Sequence, residues 1–448
     1  MMIVKLYDVV VVGGGVSGTV AAIASARNGA QTLLIERYGF PGGSLTNMGV
    51  GPIMTFHAGD RQVVRGIPQE IVDNLVKIGG SPGHVIDTTG FVSTVTPFDV
   101  EMMKYVLEKM LINSGVEILY HSFLSSVEMD GSKIKSIKIV NKSGEMTIKS
   151  KIYIDSTGDA DLAVRCGVDY LLGRPKDNLT QPMTMNVRIG NVDIQKIKEY
   201  MINNPTEFRM VDKEKIIKAK RLSVNGFYSI LKEARKKGEI NFERDMVLFF
   251  ETNTPGEVIV NMTRVQRLNG TDIKDLTKGE IIGRNQAIEL FNFMKKRIPG
   301  FENSILISTG PQIGVRETRK IIGEYILTAE DLVSNKRFDD CIAKGGYPVD
   351  IHSPEGEGVV YMKLKKGSDY DIPYRSLYSK KVDNLLVSGR CISSTHEANA
   401  AIRVSPIAMA TGQAAGTAAA IAAKENAKVS NVDVKVLRNV LLEQGAYI

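Results

Sequence analysis

The chain changes its apolar pattern several times, and each change marks an element. Val9 to Val12 form an unbroken β-branched run, as in a strand buried on both faces. From Val16 the pattern becomes "VSGTVAAIASARNG", rich in helix-forming alanine, and Gly29 closes it as a C-terminal cap. A second apolar run, "TLLI", ends at Glu36, so the first forty residues read as a β–α–β unit. Between Phe98 and Ser114, apolar residues at Val100, Met103, Leu107 and Leu111 recur at helical spacing, and Gly115 ends the run. Short segments follow, "VEILY", "FLSSVEM", "IKSIKIV" and "MTIKSKIYI", with turns at Asp130-Gly131 and Ser143-Gly144. In the last segment Met146, Ile148, Ile152 and Ile154 share one face, which predicts a β-meander.

From about residue 170 to 375 the glycine density falls. Lys-rich helical stretches appear there beside a hairpin, "MVLFFETNTPGEVIVNM", that turns at Pro255-Gly256. "DNLLVSG" then restores a buried strand, and a long helix starts near Ser405. The expected fold class is α/β, with a Rossmann-type parallel sheet and a meander. Residues 1–170 and 376–448 form one domain, and an inserted α+β substrate domain occupies 171–375.

Composition narrows the function classes. The 448 residues are 43% hydrophobic and 24% charged, which is ordinary for a globular protein. The net charge of +7 is diluted over 57 basic and 50 acidic residues, with no aromatic-interleaved basic patch, so nucleic acid is not an expected partner. Cys166, Cys341 and Cys391 form no C-x-x-C pair, which argues against a disulfide framework, a metal site or an iron–sulfur cluster and favours the cytoplasm. The apolar start "MMIVKLYDVVVV" is interrupted by Asp8. The segment Val404 to Ala423 is Ala-rich, with Gly412 and Gly416 suited to close helix–sheet packing. Neither predicts a membrane span.

Candidate chemistry begins at "VVGGGVSG", which carries G-x-G-x-x-G at Gly13, Gly15 and Gly18 after a strand and at the start of a helix. Gly13 permits the turn, Gly15 lets the backbone approach a diphosphate, and Gly18 allows close helix–strand packing. The helix N-terminus offers unpaired N–H groups to the phosphates. Glu36, 18 residues beyond Gly18, is placed to accept ribose hydroxyls. Next comes "RYGFPGGSLTN", where Gly42 and Gly43 precede Ser44 and Thr46, a loop that an NAD site does not need.

This Glu-Arg-x-Gly…Gly-Gly-Ser-x-Thr sequence resembles the flavoproteins of the glutathione-reductase superfamily, particularly the fumarate reductase and succinate dehydrogenase-like branch. "IDSTGDADLA", "GVRETRKIIGEYILT", "CIAKGGYPVDIH", "YDIPYRSL" and "NLLVSGRCISSTHEANAAIRVSPIAMATGQAAGTAA" extend the resemblance, leaving roughly residues 190 to 300 unmatched. It implies FAD, bound by Gly13, Gly14, Gly15, Val16, Ser17, Gly18, Glu36, Arg37, Gly42, Gly43, Ser44, Leu45 and Thr46. It further implies Leu124 against the adenine, Gly158 and Asp159 at the second motif, and Gly389, Arg390, Ser405 and Ile407 from the C-terminal segment. Arg390 stands where the family usually has an acidic residue, and is expected to pair with the diphosphate. Leu45 stands where covalent members of the branch have histidine, which implies non-covalent FAD. Ser405 and Pro406 read as an N-cap and first helical residue, and the resemblance aims that helix at the flavin.

For catalysis, His396 leads, with Glu397 beside it and Arg403 following. Arg316 and Arg319 suit a substrate carboxylate or an ion-pair network with Glu317. His57 and His352 are further candidates, while His84 and His121 look incidental. The expected function is an FAD-dependent oxidoreductase exchanging a hydride between FAD and a small organic substrate. Alternatives are a flavin monooxygenase and a non-catalytic electron-relay or regulatory flavin subunit. No second G-x-G-x-x-G in strand context points to an NAD(P)H domain, so the electron donor or acceptor stays open.

Overall fold

The computed structural model describes residues 6–356, 359–362 and 364–448; the first five residues of the apolar start lie outside them. The β-branched run lies within strand β1 (Leu6–Val12), followed by helix α1 (Val16–Arg27) and strand β2 (Thr32–Ile35), which pairs parallel to β1. Val9 to Val12 are fully enclosed because the sheet is covered on both faces. Helix α2 (Val100–Asn113) starts on Asp99, whose side chain accepts from Met102 N, and strand β3 (Glu117–Leu119) joins β2 in parallel. Strands β4 (Phe123–Asp130), β5 (Lys133–Asn141) and β6 (Gly144–Asp155) make the meander. The long β6 serves two sheets. Gly144 to Ile148 pair antiparallel with β5, and from Lys149 onward it runs parallel to β1.

A second hydrophobic core runs from Met183 to Val315, inside the 171–375 span expected for the inserted domain. Strands β7 (Val187–Gly190), β8 (Ser223–Gly226), β9 (Val247–Glu251), β10 (Val258–Val260) and β11 (Ile305–Thr309) form an antiparallel sheet in the order β8-β9-β10-β7-β11. The β9–β10 hairpin turns through Pro255 and Gly256, as its sequence predicts. Helix α3 (Ile273–Arg297) buries Gly283, Ala287, Leu290 and Met294. From Ile321 to Tyr374 the chain packs back against the first core.

Strand β12 (Val349–His352) lies in this returning stretch, and β13 (Leu385–Val387) then completes the first sheet, parallel to β6. Helices α4 (His396–Ile402), α5 (Ser405–Glu425) and α6 (Val434–Glu443) close the fold. Two expectations for α5 are corrected. The N-cap is Val404, so Ser405 and Pro406 occupy the first two helical positions, where proline's missing N–H costs nothing. Its small residues serve helix–helix contact with α1 rather than helix–sheet contact. A Cβ on Gly412 would lie 2.2 Å from Ser17 O, and one on Gly416 would lie 2.1 Å from Ala21 O. Among the described residues no helix is long and apolar enough to cross a membrane.

Candidate functional site

The crevice beyond the C-terminal ends of β1 and β6 lies where the parallel sheet grows outward in opposite directions, the usual place for a nucleotide in such sheets. A cavity of about 410 Å³ opens there. Gly13, at φ +100°, makes the turn out of β1, and a Cβ on it would lie 2.6 Å from Ser156 O. A Cβ on Gly18 would lie 1.8 Å from Gly13 O, so this glycine brings helix and turn together. Gly15 differs, because a Cβ there meets nothing within 4 Å and points into open space. Helix α1 starts on Gly15 with no side-chain cap and no acidic residue in its first turn, which leaves its N–H groups to an anion.

The fit to a dinucleotide can be followed along this cavity. At one end it is lined by Glu36, Arg37, Tyr38 and Leu124. Glu36 is buried, which raises its carboxyl above the ordinary value despite hydrogen bonds from Gly14 N at 2.5 Å and Tyr38 N at 2.9 Å. In the middle, Ser17, Ser156 and Ser388 form a cluster with Oγ separations of 2.6 and 2.7 Å, tying α1, β6 and β13 together beneath the turn. The second glycine loop packs against the first, with Gly42 N donating to Gly14 O at 2.8 Å. Asn47 is 1% exposed and lines the cavity; its amide nitrogen faces the Tyr38 hydroxyl, and its amide oxygen has no hydrogen-bond partner. A buried amide oxygen without a partner is costly unless a ligand supplies one. The open cradle at Gly15, the uncapped start of α1 and this amide oxygen fit a bound dinucleotide.

Arg390 lines the cavity but is engaged elsewhere. It donates to Gly158 O at 2.7 Å, Val315 O at 2.9 Å and Asp159 Oδ1 at 2.7 Å. Its counter-ion within the chain is Asp159. Burial would raise the Asp159 carboxyl, but Arg390 and Thr318 hold it below the usual range.

The far end of the cavity is cationic. Arg316, Arg403, Tyr347, Asp350 and His352 line it together with Thr184 and Asn261. They come from the outgoing connection of the second core, the residue after α4, and β12 with its approach. Burial pushes the Arg316 guanidinium well down, and neighbouring Arg403 and Arg244 add to the effect. Arg244 and Arg264 are themselves buried nearby, and Arg244 is lowered to about 10 by burial and then by Arg264. Asp350 is the carboxylate at this end, and it sits 3.4 Å from His352 Nε2. Tyr347 OH donates to Asp350 Oδ2 at 3.1 Å. Burial opposes the charge on Asp350, but His352, Arg403 and the tyrosine hydroxyl hold its carboxyl low. His352 is lowered to about 4, chiefly by burial and then by the arginines, against the pull of Asp350.

Of the residues singled out in the sequence, Gly13, Gly15, Val16, Ser17, Glu36, Arg37, Gly43, Ser44, Leu124, Gly158, Gly389, Arg390, Ser405, Arg316, Arg403 and His352 line this cavity. Gly14, Gly18, Gly42, Leu45, Thr46, Asp159 and Ile407 stand behind the lining and shape it. The Thr46 hydroxyl donates to Pro41 O at 2.7 Å and is not turned to the cavity. His396 and Glu397 do not line it. His396 opens α4 and turns inward, its Nδ1 2.8 Å from Glu317 Oε2. His57 is also outside, sharing a 2.9 Å contact with Thr94 Oγ1. Arg319 pairs with Asp161, and Glu317 pairs with Lys320 and His396 in place of the arginines. Sequence reading missed Asn47, Tyr347 and Asp350. A signal existed for the last, since Asp350 and His352 are two apart on a strand and share a face.

Comparison with known proteins adds a family. The model of the family described as FAD dependent oxidoreductase matches residues 8–441. The mitochondrial dihydrolipoyl dehydrogenase of Schizosaccharomyces pombe is 30% identical over 159 residues, which is 34% of this chain and 28% of that protein. The matched part thus spans little more than a quarter of that curated relative's length. Among solved structures, p-nitrophenol 4-monooxygenase from Pseudomonas putida DLL-E4 aligns with a TM-score of 0.50 at 11% identity, covering 99% of this chain and 87% of that one. A geranylgeranyl bacteriochlorophyll reductase-like protein from Thermoplasma acidophilum aligns at 0.47 and 15% identity, covering 99% and 85%. At such identity the monooxygenase alignment is a likeness of fold.

Proposed function

Because the chain belongs to the FAD-dependent oxidoreductase family, we propose that it exchanges a hydride between non-covalently bound FAD and a small organic anion, with His352 handling the accompanying proton. The observation that carries this reading is a single cavity running from the glycine turn to a chamber lined by Arg316, Arg403 and His352. Bound FAD supplies the two-electron hydride acceptor or donor. The rest falls to the protein. Arg316 and Arg403 attract and orient a negatively charged substrate in surroundings that exclude most water, where a charge–charge contact is worth more than at a surface. Asp350, 3.4 Å from His352 Nε2, favours the tautomer protonated at that nitrogen, which leaves the Nδ1 lone pair to accept a proton. His352 is neutral near pH 7, since its pKa is lowered to about 4. In its neutral form the ring can accept the proton that a substrate loses as its hydride leaves. Within the family, the C-terminal segment from Ser388 through α5 supports the fumarate reductase and succinate dehydrogenase-like branch.

The test is anaerobic bleaching of the yellow protein by a panel of small 2-hydroxy and saturated acids, their amides, and matched neutral alcohols. Bleaching confined to the acids supports the reading. Bleaching by the neutral compounds alone overturns the anion assignment. NADPH-dependent oxygen uptake with an oxygen atom in the product would make the protein a monooxygenase instead.

A further inference from the structure

Two connections join the nucleotide-binding core to the second core, Gln181–Thr184 on the way in and Gly314–Lys320 on the way out. They run side by side, with Thr184 N donating to Gly314 O at 3.0 Å and Gly314 N to Thr184 O at 2.7 Å. Both chamber arginines rest on the incoming connection. Arg316 Nη1 donates to Pro182 O at 2.5 Å and also to Thr184 Oγ1. Arg403, which arrives from the other domain at the end of α4, donates from Nη2 to Gln181 Oε1 at 3.3 Å. That is the one hydrogen bond its guanidinium makes among the described residues, and its buried Nε has no partner.

Gln181 is in turn fixed from behind. Its backbone N–H donates to Glu317 Oε2 at 3.2 Å. Glu317 is 1% exposed and sits between two basic side chains, accepting from the fully buried Lys320 through Oε1 and lying 2.8 Å from His396 Nδ1 through Oε2. A carboxylate so deeply placed is costly unless held by such partners. One short segment therefore touches everything that matters here: Gln181 N meets Glu317, Gln181 Oε1 meets Arg403, and Pro182 O meets Arg316.

We infer that Glu317 and Gln181 form a bracket that fixes the spacing of Arg316 and Arg403 across the two cores, and so sets how tightly the chamber holds an anion. Both are positioning residues; neither lines the cavity. The inference rests on the reading of the chamber as an anion site. It gives a role to the Gly-Val-Arg-Glu-Thr-Arg stretch and to His396 that does not require either Glu317 or His396 to meet substrate. Two cations grip one oxyanion well only when their separation matches it, and a loosely held arginine loses that match by swinging.

The experiment titrates FAD-loaded protein with malonate and follows the change in flavin absorbance. In Q181L, Arg403 loses its acceptor, and the malonate dissociation constant should rise roughly tenfold, as for the loss of one charge-assisted hydrogen bond. In Q181E, the new carboxylate competes for Arg403, and affinity should fall below that of Q181L. E317Q keeps an acceptor for Gln181 N–H and should stay closer to wild type than the E317A/K320M double variant, which avoids stranding Lys320 alone in the core. A purely structural role predicts lower melting temperatures in all four with malonate affinity unchanged at full FAD occupancy, and overturns the inference. Weakened binding in R403M with wild-type binding in Q181L and Q181E also overturns the bracket, while leaving the chamber as an anion site. Wild-type binding in both R316M and R403M would instead defeat the chamber reading on which the bracket rests.

Discussion

Gly15 and Gly18 of the opening turn should separate under substitution, because the structure gives them different jobs. Gly15 has φ −64° and an added Cβ meets nothing within 4 Å, so G15A introduces no clash and no backbone strain. Its effect on the flavin-free fold should be neutral or slightly stabilising, by a few tenths of a kcal/mol up to about 1, through the unfolded chain. The same methyl stands where the diphosphate must approach. Displacing it from even one or two backbone N–H groups should cost about 1.5–3 kcal/mol, or roughly 10- to 150-fold in FAD affinity. Gly18 has no such freedom. Its Cβ would sit 1.8 Å from Gly13 O and 2.8 Å from Ser156 Cβ, so α1 or β6 must shift. G18A should destabilise by about 1–3 kcal/mol or more, whether or not FAD is present. The assay is thermal unfolding of stripped and FAD-loaded protein, with FAD affinity from quenching of flavin fluorescence. G15A should match wild type when stripped and lose most of the flavin-induced rise in melting temperature. If G15A binds FAD as tightly as wild type, or melts early when stripped, Gly15 does not form the cradle.

Other outcomes follow from the same contacts. H352Q should lower turnover by roughly 100-fold, the scale of a lost acid–base group, with FAD binding unchanged, whereas H396Q should not abolish the proton step, as a pH–rate profile will show. His352 is lowered to about 4 in the fold, so between pH 6.5 and 4 the unfolded chain takes up a proton that the folded chain refuses. Stability should therefore fall as pH drops through that window, by up to about 3 kcal/mol from this group, and urea unfolding of H352Q at pH 7 and 4.5 should show a smaller loss. R390M strands Asp159 without its counter-ion and releases the carbonyls of Gly158 and Val315. It should cost about 3 kcal/mol in unfolding free energy, much of it recovered in the D159N/R390M pair. G416L should prevent α5 from seating on α1, because the first added carbon already lies 2.1 Å from Ala21 O; expression as insoluble protein is the expected readout.

The nucleotide-binding half could be read from sequence because its signals are local. The β-branched run Val9 to Val12 suits a strand covered on both faces, and the turn after it is written in four glycines within six residues. The meander and the Pro255-Gly256 hairpin were legible for the same reason. The chamber was not, because Arg316, Asp350, His352 and Arg403 come from three separate segments and meet only through the fold. His396 attracted notice by its place between β13 and α5, where a substrate pocket should open, yet its ring lies against Glu317 and does not line the cavity. Likewise the pairing of Arg390 with Asp159 joins residues 231 apart in sequence. Nothing in local spacing could have shown that. The register of α5 slipped by one residue because serine and proline are each acceptable at more than one position of a first helical turn.

The most direct test of the account is the visible spectrum of the purified protein, repeated on the supernatant after acid precipitation. A two-band flavin spectrum that moves wholly into the supernatant and co-migrates with FAD on chromatography is the predicted result. Colour that stays with the pellet would mean a covalent bond that Leu45 cannot make. A colourless chain that also fails to take up added FAD would contradict the central claim outright.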